Sequence, residues 1–575
     1  MEDTLITAAG PPRAAGPLAL PGFVPVPADR ADRYRRAGYW TGQTLAELIL
    51  DRMAQERPDR VALAADGGQV TCGELVSSVD RLADLLHRSG LRRGDRTIVQ
   101  LPNRPEFVLL VLALWRLGAI PTMALPAYRE HELRHIARAS GAVALAVPGR
   151  PAQLARAQKL RVAEPSLAHL LRIGPLDGAD APRRPEPEDG GADGELALDG
   201  LGCAPAGRAQ LSAPLPTSSD IAVLLLSGGT TALPKLIPRT HDDYGYNVRV
   251  SAEICGVGPE TVYLAVLPAG HNFTLGCPGI MGTLLRGGQV AFASATDPDA
   301  ILDAVDRYGV TMTAMVPTLA ERVAEAAARR GRRPASLRLL QVGGARLFPG
   351  PARRIAESLG GRLQQVYGMA EGLLNFTRLD DSAEVVLGTQ GRPASAGDEV
   401  RITSGSGQEV APGEVGELCC RGPYTIAGYF AGGEQNELAF TPDGFYRTGD
   451  LVRQRPSGHL VVEGRVKDVI NKAGEKIAAA ELEALALGHP GVAQAAVVAT
   501  PSDTTGEGVC LCVVAAGPVP PTLRDLRLFL AGQGIARYKL PDRLELLAQL
   551  PLTPIGKVDK AALRLRMTGA AEADR

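Results

Sequence analysis

Ser227-Gly228-Gly229-Thr230-Thr231-Ala232-Leu233-Pro234-Lys235 follows the aliphatic run Ile221 to Leu226, and this pair decides how the fold is read. The run is short enough to be a buried strand. The loop after it carries two glycines, three hydroxyls and a lysine. Convergent backbone N–H groups in such a loop form a nest suited to a polyanion. The Walker A spacing G-x-x-x-x-G-K-[ST] is absent. Alone, the stretch reads equally as a polar surface turn after a core strand, so its meaning depends on its surroundings.

On the N-terminal side, strands and helices alternate. Thr44 to Arg57 has amphipathic spacing, with Thr44 and Glu47 placed as a cap. Short strands are expected at Val61–Ala64, Gln69–Thr71, Arg96–Leu101 and Ala119–Leu125, and helices at Leu75–Ser89, Pro105–Leu117 and Arg129–Ser140. Gly174 to Pro216 interrupts this order with Pro, Gly, Ala and acidic residues and reads as a flexible surface excursion. After Ile221 the alternation resumes as far as Val342. Strands separated by helices of this length predict an α/β fold with doubly wound, mostly parallel sheets. From Gly397 the texture changes to short strands and turns, and after Arg465 a smaller α+β unit follows. The expected organisation is a flexible tail over 1–30, a large N-terminal domain over 31–464 with the excursion at 174–216, a hinge at 465–467 and a small mobile C-terminal domain over 468–575.

Composition excludes several classes. The 575 residues are 45% hydrophobic and carry a net charge of -1, so a large core is available and no strong basic field points to nucleic acid. The longest apolar run, Phe107 to Trp115, is far short of the ~20 residues of a membrane span. Met1 to Pro27 lacks the charged start and apolar core of a signal peptide. The 8 cysteines show no C-x-x-C pair or zinc spacing, which fits a reducing compartment. A cytoplasmic protein is expected.

Four later stretches carry candidate chemistry. Gln364 to Gly372 includes Tyr367-Gly368-Met369-Ala370-Glu371, an aromatic ring and a carboxylate bounded by glycines. Placed beyond the carboxyl ends of a parallel sheet, the ring suits a base and the carboxylate suits a magnesium ion. Gly444-Phe445-Tyr446-Arg447-Thr448-Gly449-Asp450 presents an aspartate in a turn-rich region, where it can accept from a ribose diol. Gly464-Arg465-Val466-Lys467-Asp468 lies at the change of texture. Pro551 to Lys560 holds Lys557 in a Pro/Gly loop, where an ammonium can neutralise charge developing on phosphate and carboxylate oxygens. Each has a plainer reading, as a turn, a solvated carboxylate, a charged linker or a surface lysine.

In this order and spacing, from about Tyr34 to Met567, the stretches resemble the adenylate-forming superfamily: acyl-CoA synthetases, firefly luciferase, peptide-synthetase adenylation domains and stand-alone aryl-acid ligases. The resemblance implies ATP and Mg2+ as cofactors. It implies a phosphate-binding loop at Ser227, Gly228, Gly229, Thr230, Thr231 and Lys235. It implies a lining of the adenine and acyl pockets by Gly343, Gly344 and Ala345, an adenine-stacking Tyr367 followed by Gly368, Met369 and Ala370, and Glu371 as the magnesium ligand. Asp450 then takes the ribose with Arg465 beside it, Lys467 is the hinge, and Lys557 is the catalytic lysine. Asn471 to Lys476 would line a channel for an incoming thiol.

The choice of acid turns on Pro268 to Gly279. Amino-acid-activating members usually place an aspartate where Asn272 falls. A neutral amide cannot pair with an α-ammonium but can hydrogen-bond a phenol. His271-Asn272-Phe273, with Leu363 to Leu374 and Pro423-Tyr424-Thr425-Ile426, resembles the salicylate- and 2,3-dihydroxybenzoate-activating ligases of siderophore pathways. The implied acid pocket is His271, Asn272, Phe273, Cys277, Gly343, Val366 and Leu374. Dihydroxybenzoate enzymes commonly have serine at the Cys277 position, so a thiol there favours salicylate. Another hydroxylated aryl or heteroaryl acid, an aryl-CoA ligase and an inactive nucleotide-binding protein are the alternatives. No carrier domain follows Lys557, so a separate phosphopantetheinylated aryl-carrier protein is the expected partner, with the enzyme a monomer or weak homodimer.

Overall fold

The structure is a computed structural model that describes residues 16, 18–53, 57–174, 195–198, 215–227, 233–293, 296–472, 475–502 and 505–573. Among these residues the strands form four sheets. The largest runs in the order Arg392–Pro393, Gly372–Phe376, Arg362–Met369, Leu339–Gly343, Met312–Met315, Val262–Ala265, Gln289–Phe292, Val61–Ala65 and Gly68–Thr71. Its central strands are parallel and its edges antiparallel. The second sheet is parallel from Glu195–Leu198 through His169–Ile173, Ala144–Pro148, Arg96–Val99 and Ile120–Met123 to Ile221–Leu226, and ends on the antiparallel strand Leu236–Thr240. The expected doubly wound α/β class is therefore present. The helix Pro105–Leu117 is buried almost all round, which explains its unbroken apolar sequence.

A four-stranded antiparallel sheet (Glu399–Thr403, Gly416–Arg421, Tyr446–Gln454, Leu460–Arg465) follows the large sheets. A separate sheet then contains Val469–Lys472, Glu475–Ala478, Val492–Ser502, Gly506–Ala515 and Arg543–Leu546. Its faces have their own apolar clusters: Ile470, Leu482, Val497, Val509 and Leu526 on one, and Ala496, Val498, Cys510, Cys512 and Met567 on the other. Cys510 and Cys512 share a face, as alternation along a strand requires.

Three differences from the sequence reading have local causes. The excursion at 174–216 contributes the edge strand Glu195–Leu198, because Leu196 and Leu198 find partners on Leu171 and Ile173; its remaining residues, apart from 174, 215 and 216, lie outside the described set. The chain before residue 30 is tied down from Leu18, whose N–H donates to Asp220 Oδ1 at 3.0 Å while Arg93 pairs with the same carboxylate at 2.7 Å. The helix from Thr44 is capped by Glu47 as expected, but it widens into a π turn over Glu47–Asp51.

Candidate active site

The parallel strands Arg362–Met369, Leu339–Gly343, Met312–Met315 and Val262–Ala265 are consecutive neighbours, so their carboxyl ends form one row. That is where an open α/β sheet presents ligands. The row carries Tyr367 to Glu371, Gly343 and Gly344, Val316 to Thr318, and Pro268 to Phe273. Gly343 is the register partner of Val366. A Cβ on Gly343 would lie 2.4 Å from Val366 O and 3.2 Å from Phe273 Cζ, so only glycine lets these residues meet. Gly344 has φ +82°, and a Cβ there would lie 3.1 Å from Lys557 Cε. Ala345 follows directly. Leu374 is buried on the strand opposite Gly368.

Tyr367, Gly368 and Met369 complete a strand, and the turn expected at this stretch falls on Ala370 and Glu371. Tyr367 Oη donates to Asp450 Oδ2 at 2.8 Å, and Arg465 Nε lies 2.8 Å from Asp450 Oδ1. Asp450 sits within the strand Tyr446–Gln454 rather than in a free turn, with Arg465 as its register partner. Glu371 Oε1 accepts from Tyr429 Oη at 2.9 Å, and Tyr429 in turn meets Tyr446 Oη at 3.0 Å. One carboxylate oxygen is thereby oriented. Among the described residues no cluster of three or more His, Cys, Asp or Glu could cage a metal. A lone oriented carboxylate fits magnesium, which characteristically binds one or two carboxylates together with substrate phosphates.

Lys557 reaches this row from the small C-terminal unit. Its loop is closed by Thr553 N–H donating to Lys557 O at 2.7 Å and by a bridge between Leu552 and Val558. It is docked by Thr318 Oγ1 donating to Gly556 O at 2.9 Å. Burial, with Arg465 adding to it and Asp450 and Glu371 opposing, lowers the Lys557 pKa to about 8. His271 faces the same ammonium. Burial, with Lys557 adding to it, depresses its pKa to about 3. The imidazole is therefore neutral, and because Nδ1 accepts from Phe273 N–H at 3.3 Å its proton lies on Nε2. Activity that requires the Lys557 ammonium should fall about tenfold per pH unit above pH ~8. His271 should add no inflection between pH 5 and 9; initial rates of pyrophosphate release across that range, extended to pH 10, check both points.

Of the phosphate-loop residues, Ser227 and Lys235 are described and Gly228, Gly229, Thr230 and Thr231 lie outside the described residues. The loop joins two antiparallel strands. Ser227 N–H donates to Lys235 O, and Lys235 N–H donates to Ser227 Oγ, both at 3.0 Å. Lys235 Nζ lies 4.5 Å from the Tyr429 ring centre, so its charge sits near Glu371's hydroxyl partner.

The candidate acid pocket is built on the short helix Asn272–Gly276. Asn272 Oδ1 accepts from Tyr244 Oη at 2.9 Å, and Asn247 Nδ2 donates to Gly276 O at 2.7 Å. Cys277 is buried beside Asn247, and burial pushes its thiol up to about 12, so it is a neutral wall. Behind this wall Arg239, with no exposure, donates to Asp243 Oδ1 at 2.7 Å, to Ala370 O and Tyr424 O at 2.9 Å each, and to Asn247 Oδ1 at 3.4 Å. One guanidinium thus joins the Glu371 turn to the helix that supports Asn272. Sequence reasoning misses Arg239, Tyr244, Asn247 and Tyr429. The available signal is Asp243 and Asn247 four residues apart on one side of the helix His241–Ile254, with Arg239 near the end of the strand that leads into it. Lys467 lies in a single 3-10 turn, Val466–Asp468, between the third and fourth sheets. Beside the site, a cavity of about 1010 Å³ separates Val266–Pro268 and Val316–Leu319 from Leu550–Gly556.

Large parallel sheets with a small C-terminal unit that returns one lysine to their strand ends define a class of two-part mixed α/β enzymes. The chain belongs to the AMP-binding enzyme family: that family's pattern matches residues 50–430, and the pattern of the AMP-binding enzyme C-terminal domain matches residues 481–557. It is 50% identical over 556 residues to a salicylyl-CoA synthase / salicylate adenylyltransferase of a Streptomyces species, covering 96% of this chain and 98% of that one. It is 47% identical over 564 residues to the salicyl-AMP ligase / salicyl-S-ArCP synthetase of Mycobacterium tuberculosis, covering 96% and 95%. The apo structure of Mycobacterium smegmatis MbtA is similar at 44% identity and a TM-score of 0.70, covering 95% of this chain and 99% of that one. No helix among the described residues is long and apolar enough to cross a membrane.

Proposed function

We propose that this chain converts an ortho-hydroxylated aryl acid, salicylate in preference, to the aryl adenylate and then passes the aryl group to the phosphopantetheine thiol of a separate carrier protein. The observation that carries the reading is a neutral, buried Asn272 amide set in the chain between His271, which feels the Lys557 ammonium, and Phe273, whose ring packs at Gly343 next to Val366. The two relatives named for salicylate, each matched over nearly its whole length, support the choice of acid.

In the first step a carboxylate oxygen attacks the α-phosphorus of ATP, and the bond to the leaving pyrophosphate breaks. Two anionic groups must approach, and the Lys557 ammonium offsets their repulsion. Tyr367 and Asp450 hold the adenosine, with Arg465 orienting Asp450; residues 227–235 hold phosphate. Glu371 is the residue suited to magnesium, which supplies further positive charge to the phosphates when bound. In the second step a thiolate attacks the acyl carbon and AMP leaves. Lys557 has no role there, and rotation about Lys467 withdraws its loop. The cavity bounded by Leu550–Gly556 supports that assignment, because displacing this loop opens a path toward Pro268.

Mixing enzyme, ATP, magnesium and salicylate, then adding either holo-carrier or coenzyme A, tests both steps. Salicyl-AMP should form in each case and the thioester chiefly on the carrier. Failure to form salicyl-AMP overturns the reading, and thioester on coenzyme A alone favours the CoA-ligase reading suggested by the Streptomyces relative's name. Lys467→Pro, which fixes one hinge φ, should leave adenylate formation intact and slow thioester formation about tenfold; equal loss of both steps contradicts a hinge there. Cys277→Ser should shift the salicylate to 2,3-dihydroxybenzoate ratio of kcat/KM about tenfold toward the dihydroxy acid. An unchanged ratio removes Cys277 from the specificity argument.

A further inference from the structure

Tyr244 is buried to 0% exposure on the helix His241–Ile254, and its hydroxyl ends on Asn272 Oδ1 at 2.9 Å. Burial raises the phenol's pKa well above its ordinary value, so the hydroxyl keeps its proton and donates it. Asn272 Oδ1 is the acceptor that this O–H has among the described residues. Turning the amide over would set Nδ2 against the phenol oxygen and leave a buried O–H without an acceptor, which is costly. The amide is therefore held one way round. Its oxygen faces Tyr244, and its nitrogen, which makes no protein hydrogen bond among the described residues, is the donor left for a ligand.

We propose that Tyr244 is a positioning residue that makes the site select an ortho-hydroxy over an ortho-amino aryl acid, by fixing Asn272 with its N–H side toward the substrate. This rests on the aryl-acid reading of the site. The phenol of salicylate donates its hydrogen to its own carboxylate, so its oxygen presents lone pairs that accept from Asn272 Nδ2. The amino group of anthranilate has its lone pair drawn into the ring and presents N–H groups, so donor would meet donor. Rejection of a ligand that leaves polar groups mismatched is stronger than rejection by size alone.

Initial rates of ATP–pyrophosphate exchange with salicylate, anthranilate and benzoate test this in the full-length enzyme, in Tyr244→Phe, and in Tyr244→Phe on an Asn272→Ala background. The phenylalanine keeps the ring and removes the hydroxyl, which frees the amide to turn. The wild-type salicylate to anthranilate ratio of kcat/KM should fall about tenfold in Tyr244→Phe. Salicylate should lose more than benzoate, which has no ortho group. On the Asn272→Ala background the ratio should not respond to the second substitution. Equal losses on all three acids, or an unchanged ratio, overturn the positioning role while leaving the aryl-acid reading intact. Wild-type enzyme that is silent with salicylate overturns both.

Discussion

Lys557→Ala should slow aryl-adenylate formation by about 10²–10³-fold while ATP still binds. The side chain comes from a unit with its own apolar clusters, and its loop is closed by its own backbone bonds, so truncation beyond Cβ leaves the fold in place. What disappears is the cation between two anions, and among the described residues the neighbouring cations are already engaged. Arg465 is engaged by Asp450 at 2.8 Å, and Lys235 lies against Tyr429. Pyrophosphate exchange measured alongside ATP binding by calorimetry separates the outcomes. Full exchange activity would remove Lys557 from the chemistry, and loss of ATP binding in proportion to activity would make it a binding residue only.

Arg239→Met should destabilise the protein by about 3–5 kcal/mol, because it breaks a buried ion pair and leaves its partner charge in place. The guanidinium serves four acceptors on Asp243, Ala370, Tyr424 and Asn247. Methionine fills much of the volume and satisfies none of them. Arg239→Lys should recover little, since a point charge cannot reproduce a planar fork reaching several directions. Chemical denaturation followed by tryptophan fluorescence reports the change: Trp115 is buried and donates to Ala222 O at 2.6 Å in the sheet that carries Arg239. A variant as stable as the parent would show that these carbonyls find other donors. A stable variant with weakened nucleotide and acid binding would place Arg239's contribution in the site alone.

The sequence was most readable where one periodicity or one residue type is compulsory. Pro105–Leu117, Pro298–Tyr308 and Ile221–Leu226 fall where proline starts and apolar spacing put them. Gly343 and Gly344 were marked only by resemblance, as a pocket lining; that a Cβ at Gly343 would meet Val366 O at 2.4 Å is visible in the structure alone. Asp450 was misplaced into a turn because Gly449 reads locally as a break, although the strand continues through it. The edge strand Glu195–Leu198 was hidden because four residues in a Pro/Gly-rich segment carry no period of their own; pairing with His169–Ile173 creates it. The support behind the pocket was harder still. Arg239, Tyr244 and Asn247 act through partners 28 to 185 residues away, on Asn272, Gly276, Ala370 and Tyr424, and local pattern holds no record of such pairings.

ATP–pyrophosphate exchange across salicylate, 2,3-dihydroxybenzoate, benzoate, anthranilate, 3-hydroxypicolinate, an α-amino acid and a fatty acid is the most direct test of the central claim. Salicylate should give the highest kcat/KM, with 2,3-dihydroxybenzoate behind it and the amino and fatty acids silent. Exchange driven by an α-amino or fatty acid, with none from any aryl acid, would contradict the assignment of the Asn272 pocket.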